Sequence, residues 1–281
     1  MTELGGQGHV FHATATQHNR YKRLASRALS EIVSWKNILS GYKRGLRILL
    51  YHAVGTPLLH DSYGIAISPH LFEQHMALLA SNREIQVVDV SNGQSEESSL
   101  RVAVTFDDGY RDNLTIAAPI LMKYQIPFTV FVTSSYILGR ESSYYLSPEE
   151  LRELAGLPGV TIGSHGVTHV PLATCDDSTL WDELYGSRLW LEDLLGKPVC
   201  AISYPHGSVD QRVARAAVKA GYTMGLCSRR DINDTQRDPL LLCRTEIVAT
   251  DSERVFRQKL YGAWDWNRWL AGNPALQRKN G

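Results

Sequence analysis

The chain has 281 residues, of which 43% are hydrophobic and 21% are charged, and this composition is ordinary for a soluble globular protein. Its formal net charge of +0 argues against general polyanion binding, so we expect no nucleic-acid partner. No stretch approaches the roughly 20 apolar residues that a membrane-spanning helix needs, and the N-terminus lacks the apolar core of a secretory signal. The sequence therefore predicts a cytoplasmic protein, or one held at a membrane surface by its basic segment.

The first 45 residues are predicted to form a flexible tail followed by a basic amphipathic helix. Residues 1–17 are rich in Gly, Thr and His, a composition typical of disorder. Between His18 and Arg47, eight cations stand against one acid. Apolar residues recur near helical spacing from Leu24 to Leu39 in the same segment. The helix either packs on the following domain with a solvated basic face, which we favour, or contacts an anionic membrane surface.

From Leu46 onward, short apolar runs that are typical of buried strands alternate with amphipathic runs that are typical of helices. Ser68 before Pro69 predicts a helix start, and Ser147 with Glu150 predicts a capping box. Strands are predicted at Leu46–His52, Ile85–Val90, Arg101–Phe106, Pro127–Thr133, Val160–Gly163, the start of Ala201–Gly207, Tyr222–Cys227 and Leu241–Val248, and helices at Pro69–Leu79, Asn113–Tyr124, Ser147–Ala155, Ser178–Leu195 and Asp210–Ala220.

This alternation predicts an α/β fold of parallel βα units, in a number that suits a barrel better than an open sheet. The sequence contains no GxGxxG, no P-loop and no GxSxG motif. Dinucleotide-binding, phosphate-binding and serine-hydrolase functions therefore have no residues to rest on.

The stretch RVAVTFDDGY, Arg101–Tyr110, places two aspartates at the C-terminal end of a predicted buried strand. Gly109 follows them and permits a sharp turn. Adjacent side chains at a strand end point in different directions, so one of Asp107 and Asp108 can hold a metal while the other faces a substrate. The alternative is a strand-to-helix connection in which an aspartate caps the helix.

His165 and His169 directly follow the predicted strand VTIG. Their i, i+4 spacing predicts two imidazoles on one face of a helical turn, a common metal-chelating arrangement. In a barrel, the strand end that carries them lies on the same rim as Asp107 and Asp108. Two neutral imidazoles and one carboxylate leave room for water in the coordination shell, and bound Zn²⁺ lowers the pKa of such a water to about 7.

Together, the motifs TFDDGY, SHGVTH and YPHG resemble the polysaccharide deacetylase family, the NodB-homology domain of carbohydrate esterase family 4. The match covers about Arg47 to Tyr261. YHAV and SPHLFEQHMALL resemble the branch of this family that acts in exopolysaccharide synthesis. The resemblance implies a distorted (β/α) barrel of about seven strands, an acetylated glycan as substrate, and metal-assisted hydrolysis of an N-acetyl group.

The resemblance also implies roles for individual residues. Asp107 matches the general base. Asp108, His165 and His169 match the ligands of a divalent cation, for which we expect zinc first, with cobalt, nickel and iron as alternatives. The backbone N–H of His206 in YPHG matches the donor that holds the tetrahedral oxyanion.

The sequence departs from the family pattern at the base and at the acid. Ser203 stands where the family has an arginine that tethers the base, and we predict that Arg244 in LCRTEI replaces it and keeps Asp107 ionised. No histidine follows His206, so the family's late acid is absent and either His206 or His52 is expected to protonate the leaving amine. The alternative for Arg244 is a surface ion pair, and for the two histidines a structural role.

We predict three segments: a tail and basic helix over 1–45, the deacetylase domain over 46–262, and a Trp-rich tail over 263–281. The tail tryptophans either pack onto the barrel, which we favour, or stack on sugar rings. The family's aromatic motif is not visible in SRRDIND, residues 228–234, so we expect lower turnover or an altered substrate.

Two other functions fit parts of this pattern. The first is a carbohydrate-binding protein that kept the fold and lost turnover. Asp107 argues against it, because a binding module needs no second carboxylate there. The second is a non-haem Fe(II) oxygenase with a two-histidine, one-carboxylate triad. Such enzymes place His-x-Asp close together on a β-rich scaffold, and neither the order of these residues nor the βα pattern fits. We therefore predict a metal-dependent deacetylase of amino sugars in a glycan or glycan precursor.

Overall fold

Ten strands lie in the part of the chain that the computed structural model describes, which comprises residues 26, 28–34, 44–92, 99–139 and 143–266. In chain order they are β1 (Gly45–Tyr51), β2 (Ala53–Val54), β3 (Ala66–Ile67), β4 (Ile85–Val87), β5 (Leu100–Phe106), β6 (Phe128–Val132), β7 (Val160–Ser164), β8 (Ala201–Ser203), β9 (Met224–Leu226) and β10 (Arg244–Glu246). β2 and β3 pair with each other, and β4 pairs with β5. The seven strands other than β2, β3 and β4 are parallel and build the barrel.

Backbone hydrogen bonds order these seven strands as β10–β1–β5–β6–β7–β8–β9. The two ends of this order meet just before β10. There the N–H of Leu242 donates to the carbonyl of Gly225 at 2.9 Å, and the carbonyl of Leu242 accepts from the N–H of Cys227 at 2.8 Å. The sheet therefore nearly closes, which confirms the predicted distorted (β/α) barrel of about seven strands.

The barrel interior is apolar in its middle and polar at its carboxyl end. Its middle is filled by Leu46, Ile48, Val90, Ala103, Phe131, Ala201, Leu226 and Leu242. Side chains along a strand alternate between the two faces. Asp107 therefore lies on the same inward side of its strand as Ala103. In the same way, Arg244 lies on the side of Leu242, and His52 lies on the side of Ile48. The fold thus brings these polar residues to one rim.

Between residues 69 and 260, eight α-helices surround or flank the barrel: α1 (Pro69–Ser81), α2 (Ala118–Lys123), α3 (Ser134–Leu138), α4 (Pro148–Gly156), α5 (Asp177–Trp181), α6 (Ser187–Leu195), α7 (Gln211–Lys219) and α8 (Glu253–Leu260). Both predicted caps are present. The Ser68 hydroxyl accepts the N–H of Leu71 at 3.2 Å, and Ser147 and Glu150 form the capping box. A defined start fixes where each helix leaves its loop.

Several predicted elements differ in detail. The predicted helix at Asn113–Tyr124 begins with a π-helical turn, and the one at Ser178–Leu195 contains another, Asp182–Gly186. A π turn inserts a residue and shifts which side chains face inward; in the second, both Glu183 and Leu184 are buried. The last predicted strand is shorter than expected, because Pro239–Leu241 forms a 3-10 turn. Neither α3 nor α8 was predicted from the sequence.

The C-terminal end of the described region packs against the barrel, and the N-terminal helix contacts that end. Arg47, fully buried on β1, forms a two-pronged ion pair with Asp265 at 2.8 and 2.9 Å. Residues 28–34 are helical, as predicted for the basic segment, and Ser30 accepts the indole N–H of Trp266 at 3.1 Å. The remainder of the predicted basic helix, residues 1–25 and Trp269 lie outside the described residues. None of the described helices has both the length and the apolar character that crossing a bilayer requires.

His75 on α1 gives the fold a testable response to acid. Its ring stacks on Phe256 at 3.9 Å, and its Nδ1 lies 3.1 Å from the Tyr51 hydroxyl. Burial, together with the charge of Lys259, lowers the pKa of His75 to about 4, whereas an unfolded histidine titrates near 6.5. The unfolded chain therefore takes up this proton first as the pH falls. The stabilising effect of neutral His75 is present above pH 6.5 and is lost between about 6.5 and 4.

We expect His75→Phe to flatten the acid-side decline of the unfolding free energy in that window. The native protein should lose up to about 3 kcal/mol more than the variant between pH 6.5 and 4, since one pKa unit corresponds to about 1.4 kcal/mol. Urea unfolding at several pH values measures the difference. Parallel slopes for the two proteins would show that His75 does not carry this acid sensitivity.

Candidate active site

Asp107 and Asp108 lie at the carboxyl end of β5, where the strand leaves the barrel. The backbone of Asp108 is left-handed, with φ 75°, and Gly109 follows with φ 79°. A left-handed conformation is costly for a residue with a side chain and is concentrated at functional sites. The turn separates the two carboxylates, so Asp107 points into the barrel while Asp108 turns toward the loop after β7.

The two predicted histidines follow β7 but do not lie on a helical turn, and this part of the prediction is wrong. Residues 165–170 form an extended loop with bends. Gly166 has φ 79° and His169 has φ 62°. These two left-handed residues fold the loop back on itself, so the imidazoles converge with their ring centroids 4.9 Å apart.

Asp108, His165 and His169 bring three potential ligand atoms together, all within 4.8 Å of one another. Asp108 Oδ1 lies 3.5 Å from His165 Nε2 and 3.4 Å from His169 Nε2. The same oxygen is buried and has no hydrogen-bond partner in the described part of the chain. An orphaned carboxylate oxygen facing two imidazole nitrogens matches the donor set of a divalent cation. The residues present therefore fit a metal.

The protonation states of the histidines suit the same purpose. Burial lowers the pKa of His165 and of His169 to about 4 in each case, so both rings are neutral at pH 7. His165 Nδ1 lies 2.7 Å from the carbonyl oxygen of Ser203. A carbonyl only accepts, so the proton resides on Nδ1 and the Nε2 lone pair faces Asp108. This is the outer hydrogen bond that orients a ligating imidazole.

Glu183 holds the histidine loop in place, and the sequence analysis did not identify it. It lies in the π-helical turn after α5 and is 4% exposed. Its carboxylate accepts the N–H of Val167 at 2.7 Å and the N–H of Thr168 at 3.1 Å, and also the Thr168 hydroxyl. A side chain on Gly166 would lie 2.8 Å from this carboxylate, which explains the glycine. The only sequence signal was an acid within the predicted helix Ser178–Leu195.

Asp107 is held by Arg244 and Ser203 inside the barrel. Arg244 donates through Nη1 to Oδ1 and through Nη2 to Oδ2, both at 2.7 Å. Ser203 donates to Oδ2 at 3.0 Å and accepts from Arg244 Nη2 at 2.7 Å. Arg244 and Ser203 are fully buried, so this is an interior pair and not the surface ion pair of the alternative. The planar guanidinium fixes both carboxylate oxygens at once.

The two aspartates differ in their electrostatic balance. Burial raises the pKa of Asp107, but the charge of Arg244, followed by that of His165, outweighs it and places the pKa well below the usual range. For Asp108 burial dominates and raises the pKa, although His52 and His169 act in the opposite direction. Asp107 is therefore ionised with its charge compensated, and Asp108 is a buried carboxyl that needs a positive partner.

The structure brings His52 and His206 to the same rim in different settings. His52 follows β1, is half-buried, and has a buried Nδ1 without a hydrogen-bond partner among the described residues. It is close enough to influence the pKa of both aspartates. His206 is exposed in the turn Pro205–Gly207, and its Nε2 lies 3.1 Å from the carbonyl oxygen of His169. The carbonyl accepts, so this nitrogen carries the proton.

Three tyrosines that the sequence analysis did not identify form a wall beside the histidine loop. Tyr136 stacks on Tyr145 with ring centroids 4.5 Å apart, Tyr145 contacts Tyr110 at 5.0 Å, and Tyr136 lies 5.8 Å from His169. Burial raises the pKa of Tyr136 to about 12, so this phenol is neutral at pH 7. Tyr110 and Tyr136 each lie four residues after a strand end, and this position was the available sequence signal. Such a wall offers apolar ring faces and hydroxyl groups to a sugar.

The chain is similar in sequence to known polysaccharide deacetylases. The family described as Polysaccharide deacetylase matches residues 94–225. YxkH of Bacillus subtilis (strain 168), itself assigned as a polysaccharide deacetylase only provisionally, is 29% identical over 218 residues, covering 75% of this chain and 74% of its own.

Solved structures share the fold. The Streptococcus pyogenes deacetylase PplD, solved in complex with acetate, has a TM-score of 0.68 at 23% identity and covers 78% of this chain and 99% of its own. BC0361, a polysaccharide deacetylase from Bacillus cereus, has a TM-score of 0.67 at 25% identity, over 78% of this chain and 69% of its own. The match to the family model, the relative and the shared barrel all indicate the polysaccharide deacetylase family.

Proposed function

We propose that this protein removes acetyl groups from N-acetylated amino sugars of a glycan, in a reaction that depends on a divalent metal. Similarity to the polysaccharide deacetylase family supports deacetylation of a polysaccharide. The convergence of Asp108, His165 and His169 beside the separately tethered Asp107 is the observation that carries the finer proposal. A metal-dependent hydrolase with a protein base needs this division, because some side chains bind the cation while a separate side chain accepts a proton.

Asp108, His165 and His169 hold the cation in this proposal. Zinc suits two neutral imidazoles and one carboxylate, and cobalt, nickel or iron fit the same donors. When bound, the cation supplies Lewis-acid polarisation of the acetyl carbonyl and lowers the pKa of water. The chain prepares the ligands in advance. His165 has its lone pair oriented by Ser203, and Glu183 fixes the loop that carries both histidines.

Asp107 acts as the base that takes a proton from the attacking water. Arg244 and Ser203 prevent its carboxylate from rotating, because each oxygen receives a hydrogen bond. The low pKa keeps Asp107 in its accepting form wherever the enzyme works. The low pKa also makes the carboxylate a weaker base, so proton transfer relies on a water whose own pKa the bound cation would lower.

His206 and His52 complete the site. The backbone N–H of His206 is the donor for the tetrahedral oxyanion, and its left-handed conformation, with φ 57°, sets the direction of that N–H. For the acid we favour His52. Its ring lies near both aspartates and its Nδ1 is not engaged, whereas the Nε2 proton of His206 is donated to the His169 carbonyl.

Acetate release from N-acetylglucosamine oligomers tests the proposed function. Activity should disappear on chelation and return with Zn²⁺ or Co²⁺. His165→Ala should lose bound metal by elemental analysis while its barrel still unfolds cooperatively. No acetate release by the metal-loaded protein, with tight oligomer binding retained, would instead indicate a carbohydrate-binding protein that lost turnover. Full metal content in His165→Ala would remove this histidine from the ligand set.

The acid assignment predicts a leaving-group effect. We expect His52→Ala to reduce kcat on an N-acetyl substrate by about a hundredfold, a typical contribution of general acid catalysis. Its rate on 4-nitrophenyl acetate should fall by less than about threefold, because that leaving group departs without a proton. His206→Ala keeps its backbone N–H and serves as the comparison, with smaller and equal losses on both substrates. A His52→Ala loss that is equal on the amide and the ester would exclude His52 as the acid.

A further inference from the structure

A groove between two helices on the outside of the barrel has a composition that the deacetylation site does not explain. α5 and α7 enclose a cavity of about 240 Å³, which we call the α5–α7 groove. It is lined by Asp177, Leu180, Trp181, Arg212, Arg215, Ala216 and Lys219. Leu180 is buried and Ala216 is half-buried. The groove has room because residue 216 carries only a methyl group between longer neighbours.

The groove combines an accessible aromatic surface with unneutralised positive charge. Trp181 is 40% exposed, and its ring stacks on that of Tyr185 with centroids 5.0 Å apart. Arg212 pairs with Asp177 at 2.7 Å. Arg215 and Lys219 are exposed, and neither forms an ion pair within the part of the chain that the structure describes. Two cations beside a fixed indole therefore face solvent.

Hydrogen bonds connect one end of the groove to the turn that carries His206. Arg212 Nη2 donates to the carbonyl oxygens of Ala173 at 3.3 Å and Cys175 at 2.8 Å. The N–H of Ala173 in turn donates to the hydroxyl of Ser208 at 3.1 Å, which directly follows the turn that contains His206. The groove runs from this end along α7 toward Lys219. A chain molecule that extends from the active site across residues 173–175 would reach the groove.

We propose that the α5–α7 groove binds an acidic sugar unit of the same glycan chain that the active site deacetylates, an inference that rests on the proposed function. The indole face covers the C–H face of a pyranose ring, as aromatic side chains do at sugar sites. Arg215 and Lys219 pair with a carboxylate on that ring. A neutral sugar leaves both cations without a partner. The preferred substrate is thus a polymer that carries acidic residues as well as N-acetylated amino sugars.

Direct binding to the full chain tests this groove without reference to turnover. The probe is a hexasaccharide of alternating glucuronate and N-acetylglucosamine, and the N-acetylglucosamine hexamer serves as the neutral comparison. Asp107→Asn protein is used so that neither probe is consumed. The acidic probe should bind at least tenfold more tightly than the neutral one and should shift the indole N–H resonance of Trp181. Arg215→Glu/Lys219→Glu should abolish the tenfold preference, and Arg83→Glu, an exposed cation outside the groove, should preserve it.

Ala216→Leu provides a second variant that fills the groove without changing its charge, and it should weaken the acidic probe at least fivefold. Equal affinity of native and Arg215→Glu/Lys219→Glu protein for the acidic probe would overturn the proposal. The proposal would also be overturned if the groove bound inorganic phosphate or anionic phospholipid vesicles through Trp181 but did not bind the acidic hexasaccharide. Acetate release from the neutral hexamer reports separately on the deacetylation site, so the two proposals fail independently.

Discussion

Asp107→Asn is expected to reduce kcat/KM for acetate release by about a thousandfold, because general base catalysis contributes about 10²–10⁴ in rate. The amide is nearly isosteric with the carboxylate but accepts no proton at neutral pH. Asp108 and the two histidines are unchanged, so the protein should still bind one equivalent of Zn²⁺. Steady-state kinetics and elemental analysis on the same preparation measure both quantities.

A matched control separates this loss from general destabilisation. Asp251 is also a buried carboxylate with a cationic partner, Lys259, at 2.5 Å. Asp251→Asn should destabilise the fold while leaving kcat/KM within about threefold of the native value. If Asp107→Asn retains more than a tenth of native activity, the base is another group. If it loses metal as well, Asp107 contributes to the cation site and the division between the two aspartates fails.

The barrel could be predicted from the sequence because its strands are apolar runs that are buried on both faces. Ile48 and Leu49 illustrate this, since one faces the interior of the barrel and the other its helical shell, and both are fully buried. Such runs need no partner information to be recognised. Boundaries were less accurate where local chemistry overrides the pattern. Leu240 and Leu241 continue an apolar run, yet Pro239 starts a 3-10 turn there.

The site was predictable to the extent that its residues directly follow strands. Asp107, Asp108 and His165 fall on one rim because parallel strands end together. Side chains that reach the site from elsewhere were harder to identify. Glu183 acts by accepting backbone N–H groups of the histidine loop, including that of Val167, sixteen residues earlier in the chain. No spacing rule in the sequence connects an acidic residue of a helix with a loop in this way. His169 was placed on a helical turn because i, i+4 is helical spacing, but Gly166 allows the loop to bring the rings together in another way.

Arg244 carries the second large effect. Replacing it with methionine leaves a buried, ionised Asp107 without its partner, and breaking a buried pair in this way costs about 3–5 kcal/mol. Without the guanidinium, burial raises the pKa of Asp107. Protonation of the carboxylate then removes part of the destabilisation. We expect Arg244→Met to lower the unfolding free energy by about 3 kcal/mol and kcat by at least about a hundredfold. Metal content should be unchanged, because Arg244 contacts none of the three proposed ligands.

The position of the arginine supplies a rescue test for the same interaction. Arg244 on β10 and Ser203 on β8 already touch, with Nη2 and Oγ 2.7 Å apart. Exchanging them in Ser203→Arg/Arg244→Ser keeps the buried volume and charge and moves the guanidinium from β10 to β8. The double variant should recover at least tenfold in kcat over Arg244→Ser alone, since coupled neighbours are non-additive. If the loss of kcat in the double variant equals the combined losses of the two single variants, the guanidinium can orient Asp107 only from β10. Recovery would show that a guanidinium on either strand can orient Asp107.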